Sequence, residues 1–214
     1  MSDTLEKAYS LIAQYLRALY RPVVLELGMC NGFHTQMLLK LCNDPTYIGF
    51  EPDPRNIWRI KGTELDRRII FYSAAMGHVT GKIPFHLATP DPESNVAGSS
   101  SISEFTPVLT QCWPWLKEQE TITVDCYRLD DFCHENNVKY IDFIWMDVQG
   151  AERLVFEGGQ NMLPNIGMIW TEYDGGTLYK DSSTLTDILK WVPGWTVLAD
   201  CGGDALLQNP SYQR

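Results

Sequence analysis

The chain has 214 residues, 44% apolar and 21% charged, a globular composition that excludes wholesale disorder. Seventeen Lys and Arg against 27 Asp and Glu give a formal net charge of −10, which argues against nucleic acid or an anionic membrane as a partner. No stretch approaches the roughly 20 uninterrupted apolar residues of a membrane span, and the N-terminus lacks the basic start and continuous apolar core of a signal peptide. The six cysteines, at 30, 42, 112, 126, 133 and 201, have no Cys-x-x-Cys spacing and form no zinc pattern with the four histidines. Reduced, mostly buried thiols in a cytoplasmic protein are the expectation.

Residues 3–20 carry Leu5, Ala8, Tyr9, Ile12, Leu16 and Leu19 at three- and four-residue steps, the pattern of an amphipathic helix. Asp3 and Glu6 are set as a capping box, and Arg21-Pro22 stops the helix. Residues 1–21 are therefore expected to pack on the core of a single domain spanning 22–214. A role in homodimerisation is the alternative use of this helix. Val23–Leu27, Tyr47–Phe50 and Arg68–Tyr72 read as strands separated by helices over Phe33–Leu41 and Ile57–Ile60. That alternation predicts βαβ units and a parallel sheet covered on both faces, with all strand C-termini along one edge.

Lys82–Leu87 reads as an extra strand. Thr89–Ser103 is rich in Pro, Ser, Gly, Asn and Asp, and is long enough for a lid or binding loop within an insertion around 89–120. Thr121–Val124 alternates as a strand and Leu129–Glu135 reads as a helix. The α/β rhythm returns with a strand at Tyr140–Met146 ending in Asp147, a helix opening at Glu152, and a strand at Gly167–Thr171 ending at Glu172. A helix over Asp181–Trp191, capped by Asp181 or Ser182, precedes an antiparallel hairpin of Trp195–Leu198 and Ala205–Gln208.

The first βα turn is where an open α/β sheet binds nucleotide-type ligands. Here it reads Glu26-Leu27-Gly28-Met29-Cys30-Asn31-Gly32-Phe33. A dinucleotide fingerprint would need glycines where Cys30 and Phe33 stand, so a pyrophosphate fits poorly and a smaller anion such as an amino-acid carboxylate fits well. Glu51, at the end of the second strand, is placed to accept ribose hydroxyls; its other use is to cap the next helix.

The segments ELGMCNGF, GFEPDP, SAAMGHVTGKIPF, VDCYRLDDF and IDFIWMDVQGAERLVFEGG, in this order across residues 22–175, resemble S-adenosylmethionine-dependent methyltransferases of the FkbM type. The resemblance implies a Rossmann-like class I methyltransferase fold: a mostly parallel seven-stranded sheet with an antiparallel edge hairpin and helices on both faces. It implies O-methylation of a hydroxyl on a sugar, glycan or other small molecule. By position it puts Glu26, Gly28, Cys30, Asn31 and Gly32 around the methionine end of S-adenosylmethionine, Glu51 on the ribose, and Ala74 and Ala75 beside the adenine. Two positions depart from the family pattern: Trp145 stands where a lysine is usual, and Gln149 where an acidic residue is usual.

A sugar hydroxyl is a weak nucleophile, so a base or a metal must help remove its proton. The candidates are Asp147, Glu172 and His34, with packing in the first helix as the other use of His34. Asp147, Glu172 and Asp174 could hold a divalent cation such as magnesium through oxygen ligands. Trp113, Trp115, Trp145 and Tyr173 could form a stacking wall for an acceptor, although at least half of such residues are expected in the core. Two other readings stay open at this point: a nicotinamide-dependent oxidoreductase, and a non-catalytic protein on a methyltransferase fold.

Overall fold

The computed structural model describes residues 3–214. The chain forms a seven-stranded sheet in the order β3-β2-β1-β7-β8-β10-β9. Its strands are β1 (Val23–Leu27), β2 (Thr46–Phe50), β3 (Ile70–Tyr72), β7 (Ile141–Met146), β8 (Ile166–Glu172), β9 (Thr196–Asp200) and β10 (Asp204–Gln208). β1 pairs in parallel with β2 and β7, β2 with β3, and β7 with β8. β10 runs antiparallel to both β8 and β9, which leaves β9 at the edge. The reversal of strand order at β1 and β7 makes the switch point of a doubly wound sheet, so a crevice opens where their chains leave in opposite directions.

A second sheet, which the sequence pattern does not announce, has the order β4-β6-β5. β4 (Ala74–Gly77) lies parallel to β6 (Glu118–Arg128), and β5 (Gly81–Ala88) antiparallel to it. β4 is four small or slender residues that follow β3 after Ser73, too short for an alternation signal.

The helices are α1 (Asp3–Ala18), α2 (Phe33–Leu39), α3 (Pro54–Ile60), α4 (Pro107–Cys112), α5 (Leu129–Glu135), α6 (Glu152–Gly158) and α7 (Leu185–Trp191). α1 buries Ala8, Ile12 and Leu16 in one cluster with Val24, Phe143, Trp145 and Trp170 of the sheet. Tyr9 stacks on Trp170, ring centroids 5.8 Å apart. Each large apolar side chain buried in this way contributes about 1.5–3 kcal/mol.

Several expectations are corrected. Asp3 is already helical, so the cap of α1 falls outside the described residues. α7 starts later than the pattern suggested: Thr184 is its cap, in a capping box with Asp187, because Asp181 is held by Arg153 and Ser103, Ser182 by Tyr179, and Ser183 by Asp174. Of the six thiols only Cys126 and Cys133 are buried; Cys112 is exposed and the others are half-buried. Trp145 belongs to the core, stacked on Trp170 at 5.2 Å, and is no part of an acceptor wall. No helix among the described residues is long and apolar enough to cross a membrane.

Candidate active site

Two cavities open along the C-terminal edge of the main sheet. The larger, about 280 Å³, lies over the ends of β1, β2 and β7. Its floor is the β1–α2 turn. Gly28 has a φ of +86°, and a Cβ there would lie 1.9 Å from the Asp147 carbonyl oxygen. Only glycine lets the ends of β1 and β7 approach this closely. The Cys30 N–H donates to Glu51 Oε2 at 2.6 Å, and the Asp53 N–H to Glu51 Oε1 at 2.8 Å. The turn is thereby tied to the end of β2. Burial pushes the Glu51 pKa up to about 8, against the pull of these two amides. Burial, helped by Glu51, pushes the Cys30 thiol up to about 12, so it is no nucleophile.

Phe50, Ala74, Ala75, Met76, Phe85 and Ile102 give the cavity an apolar side. Its roof is the loop after β5. α3 fastens that loop: the Asn56 side chain donates to the Ala97 carbonyl at 2.9 Å, Arg59 to Asn95 at 2.6 Å, and Arg55 to Ser100 at 3.2 Å. Ser100 in turn donates to Asp53 at 2.8 Å. The segment read from sequence as a lid is therefore latched over the cavity.

Gly28, Cys30, Asn31, His34, Glu51, Ala74, Ala75 and Asp147 all line this cavity. Glu26 and Gly32, expected with them, do not. Glu26 is fully buried, its Oε2 accepting the hydroxyls of Thr35 at 2.5 Å and Tyr47 at 2.6 Å, and burial pushes its pKa up to about 7. Gly32 starts α2 at a φ of +76°, and a Cβ there would strike the Leu65 side chain at 2.5 Å, in the core rather than the cavity. His34 both lines the cavity and packs at a tilt of 30° against Trp145, ring centroids 4.3 Å apart. Burial lowers its pKa, which favours the neutral ring.

The smaller cavity, about 160 Å³, is walled by Trp113, Trp115, Tyr173 and Tyr179, with Glu152, Glu172 and Asp174 as its acids. Burial and the nearby Asp147 raise the Glu172 pKa well above the carboxylate range, and burial pushes Glu152 up to about 8. Asp174 is spent on its own loop, accepting the backbone N–H groups of Gly176, Thr177 and Leu178. Among the described residues no group of three His, Cys, Asp or Glu is placed to hold a metal ion. Asp147 does not cap α6, whose N-cap is Ala151.

Gln149 joins the two cavities. Its Nε2 donates to Asp147 Oδ1 at 2.6 Å and to Glu172 Oε2 at 2.7 Å, and its Oε1 accepts from the Tyr179 hydroxyl at 3.1 Å. The sequence flagged Gln149 only as a departure from a pattern. Asn56 carried no such signal. It is 2% exposed, lines the larger cavity, and its Oδ1 has no protein partner. Only its place on the inner face of α3 could have pointed to it.

The sequence profile of the methyltransferase FkbM domain matches residues 26–202. The chain belongs to this family. It is 35% identical over 195 residues, 88% of this chain and 79% of the relative, to the 2-O-methyltransferase NoeI of Sinorhizobium fredii. Among solved structures, a Clostridium thermocellum protein assigned as an rRNA-methylase shares the fold over 100% of this chain and 99% of its own, at a TM-score of 0.51 and 11% identity. The bifunctional kinase-methyltransferase WbdD does so over 98% of this chain and 40% of its own, at 0.51 and 12%. At these identities the two structures bear on the fold alone.

The site fits the methyl donor of an S-adenosylmethionine-dependent methyltransferase. The apolar side between Phe50 and Phe85 suits a purine, the buried Glu51 carboxylate suits ribose hydroxyls, and the orphaned Asn56 oxygen calls for a hydrogen-bond donor. The backbone of Gly28–Asn31 suits the amino-acid end.

Proposed function

We propose that the protein transfers a methyl group to a hydroxyl of a sugar, glycan or related polyol. The observation that carries this reading is the place of Asp147: the residue lines the larger cavity where β7 meets the Gly28 turn, and its carboxyl group is joined to the acidic edge of the second cavity through Gln149. The name of the relative, a 2-O-methyltransferase, points the same way.

S-adenosylmethionine, which Glu51, Asn56 and the Gly28–Asn31 backbone would hold in the larger cavity, would supply a sulfonium methyl for transfer to the acceptor oxygen. The protein's part is to hold the acceptor hydroxyl beside that cavity and to take its proton on the Asp147 carboxylate. The latched roof and the apolar wall exclude water. His34 forms part of the wall beside the turn, positioned by Trp145.

A divalent cation would have to compete with the Gln149 amide for Asp147 and Glu172. We therefore expect methyl transfer to be unchanged by EDTA and not raised by added magnesium. A compartment with reduced thiols, the cytoplasm, suits six unpaired cysteines.

The test is transfer of tritiated methyl from S-adenosylmethionine to a set of methyl glycosides. Label recovered in a glycoside as an alkali-stable ether supports the reading. Label found only in amines or thiols of added small molecules overturns it.

A further inference from the structure

The smaller cavity touches the larger one at a single residue, Gln149. Every hydrogen-bonding group of its side chain is in use. One nitrogen gives both of its hydrogens to two carboxyl groups, those of Asp147 and Glu172, and the carbonyl shares the single Tyr179 hydroxyl hydrogen with the Ser99 carbonyl. The backbone of Gln149 has a φ of +55°, uncommon for a residue other than glycine, and Gly150 follows at +82°. A hydroxyl that is to reach Asp147 from the smaller cavity must take the place of this amide.

What replaces it must meet the two carboxyl oxygens that the amide now meets, one on Asp147 and one on Glu172, from one small region. A single hydroxyl has one hydrogen to give and leaves one of these oxygens without a donor. Two hydroxyls on adjacent carbons supply two donors at the required closeness. The remainder of the smaller cavity suits the ring that bears them: Trp113, Trp115 and Tyr173 offer aromatic surface for an aliphatic ring face.

Resting on the methyl-acceptor reading above, we propose that the smaller cavity is the seat of a saccharide unit with a vicinal diol, and that Gln149 is a placeholder whose two N–H groups are exchanged for the two hydroxyls on binding. The hydroxyl that meets Asp147 loses its proton to that carboxylate and gains the methyl; its neighbour stays on Glu172. Trp113 and Trp115 set acceptor affinity. Gln149 acts through the two carboxylates as a positioning residue.

The experiment measures transfer of tritiated methyl to methyl glycosides of hexoses, 6-deoxyhexoses and pentoses. Each is paired with the monodeoxy glycoside that lacks the hydroxyl next to the methylated one. S-adenosylhomocysteine affinity is read alongside. The seat predicts that the deoxy partner loses about 30-fold or more in kcat/KM, since a carboxyl oxygen of Glu172 is left without its donor. Gln149→Ala lowers the acceptor KM about 3- to 10-fold, because nothing has to be displaced. Tyr179→Phe, which frees the amide carbonyl, moves KM the same way by less and serves where Gln149→Ala does not fold. Trp113→Ala and Trp115→Ala raise the acceptor KM about 10-fold and leave S-adenosylhomocysteine affinity within 3-fold.

A kcat that falls in Gln149→Ala at unchanged KM means the amide stays in place, and overturns the exchange. A deoxy partner methylated as well as its parent, or tryptophan variants with unchanged KM, overturns the diol seat while the sugar reading stands. Binding of S-adenosylhomocysteine with no glycoside methylated overturns both.

Discussion

The two cavities lie side by side, yet they are built from different parts of the chain. The larger rests on the ends of β1, β2 and β7, on a glycine turn, and on one buried glutamate clamped by two backbone amides. The smaller is assembled from α4, the β8–α7 loop and the turn after β7, segments joined by side-chain and loop contacts such as Tyr179 to Ser99 at 3.0 Å. A wall made of strand ends is fixed by the sheet itself and can hold a constant ligand. A wall made of loops can change its side chains without disturbing the sheet. The first arrangement suits a shared methyl donor and the second suits an acceptor particular to one enzyme.

Substitutions should separate the two walls, beginning with the residue that faces both chemistries. Asp147→Asn should lower methyl transfer about 100- to 10,000-fold through loss of the base, with S-adenosylhomocysteine affinity held within 3-fold. Single-turnover assays and calorimetry check the two halves of that statement. An equal loss in both would make Asp147 a residue of the donor wall alone.

Gly28→Ala should break the junction of β1 and β7 outright. A Cβ 1.9 Å from the Asp147 carbonyl, on a residue with φ +86°, costs about 2–5 kcal/mol from left-handed strain plus overpacking. Denaturant unfolding measures it, and a cost under 1 kcal/mol would contradict the close approach. Glu51→Ala should weaken S-adenosylhomocysteine about 10- to 100-fold, as expected for the loss of a pair of buried hydrogen bonds. It should spare acceptor KM at saturating methyl donor.

The pH dependence should appear in the protein without ligand. Glu51 and Glu152 at about 8, Glu26 at about 7 and Asp204 at about 6 all have pKa values raised in the fold, chiefly by burial. A raised acid binds its proton more tightly folded than unfolded. Its contribution is therefore complete below the unfolded values near 4 and is lost as pH rises toward about 8. The thermal midpoint should fall between pH 5.5 and pH 8, by about 2–4 °C for each kcal/mol lost. A midpoint that rises over that window would contradict the buried acids. Saturating S-adenosylhomocysteine should narrow the fall, because the ligand occupies the wall around Glu51.

The donor wall was legible in the sequence because its signals are local. Gly28, Glu51 and Asp147 stand at strand ends, and strand ends are marked by apolar runs that stop. Glu26 misled by the same logic: it lies within β1, where the hydroxyls of Thr35 and Tyr47 draw its carboxylate into the core. Ala74 and Ala75 line the cavity, but no strand was expected there, since it is made by pairing with Asp125 and Cys126, about 50 residues onward. Trp145 could not be told from a surface stacking residue, because only the packing of α1 shows which face of β7 is covered. The acceptor side was the least legible. Tyr179 and Gln149 meet across 30 residues, and nothing in either neighbourhood predicts the other.

The measurement that bears most directly on this account is calorimetric titration of S-adenosylhomocysteine into the wild-type protein, Glu51→Ala and Trp113→Ala. The account predicts micromolar binding to the wild type, about 10- to 100-fold weaker binding to Glu51→Ala, and unchanged binding to Trp113→Ala. No binding to the wild type, or equal binding to wild type and a folded Glu51→Ala, would contradict the assignment of the larger cavity to the methyl donor.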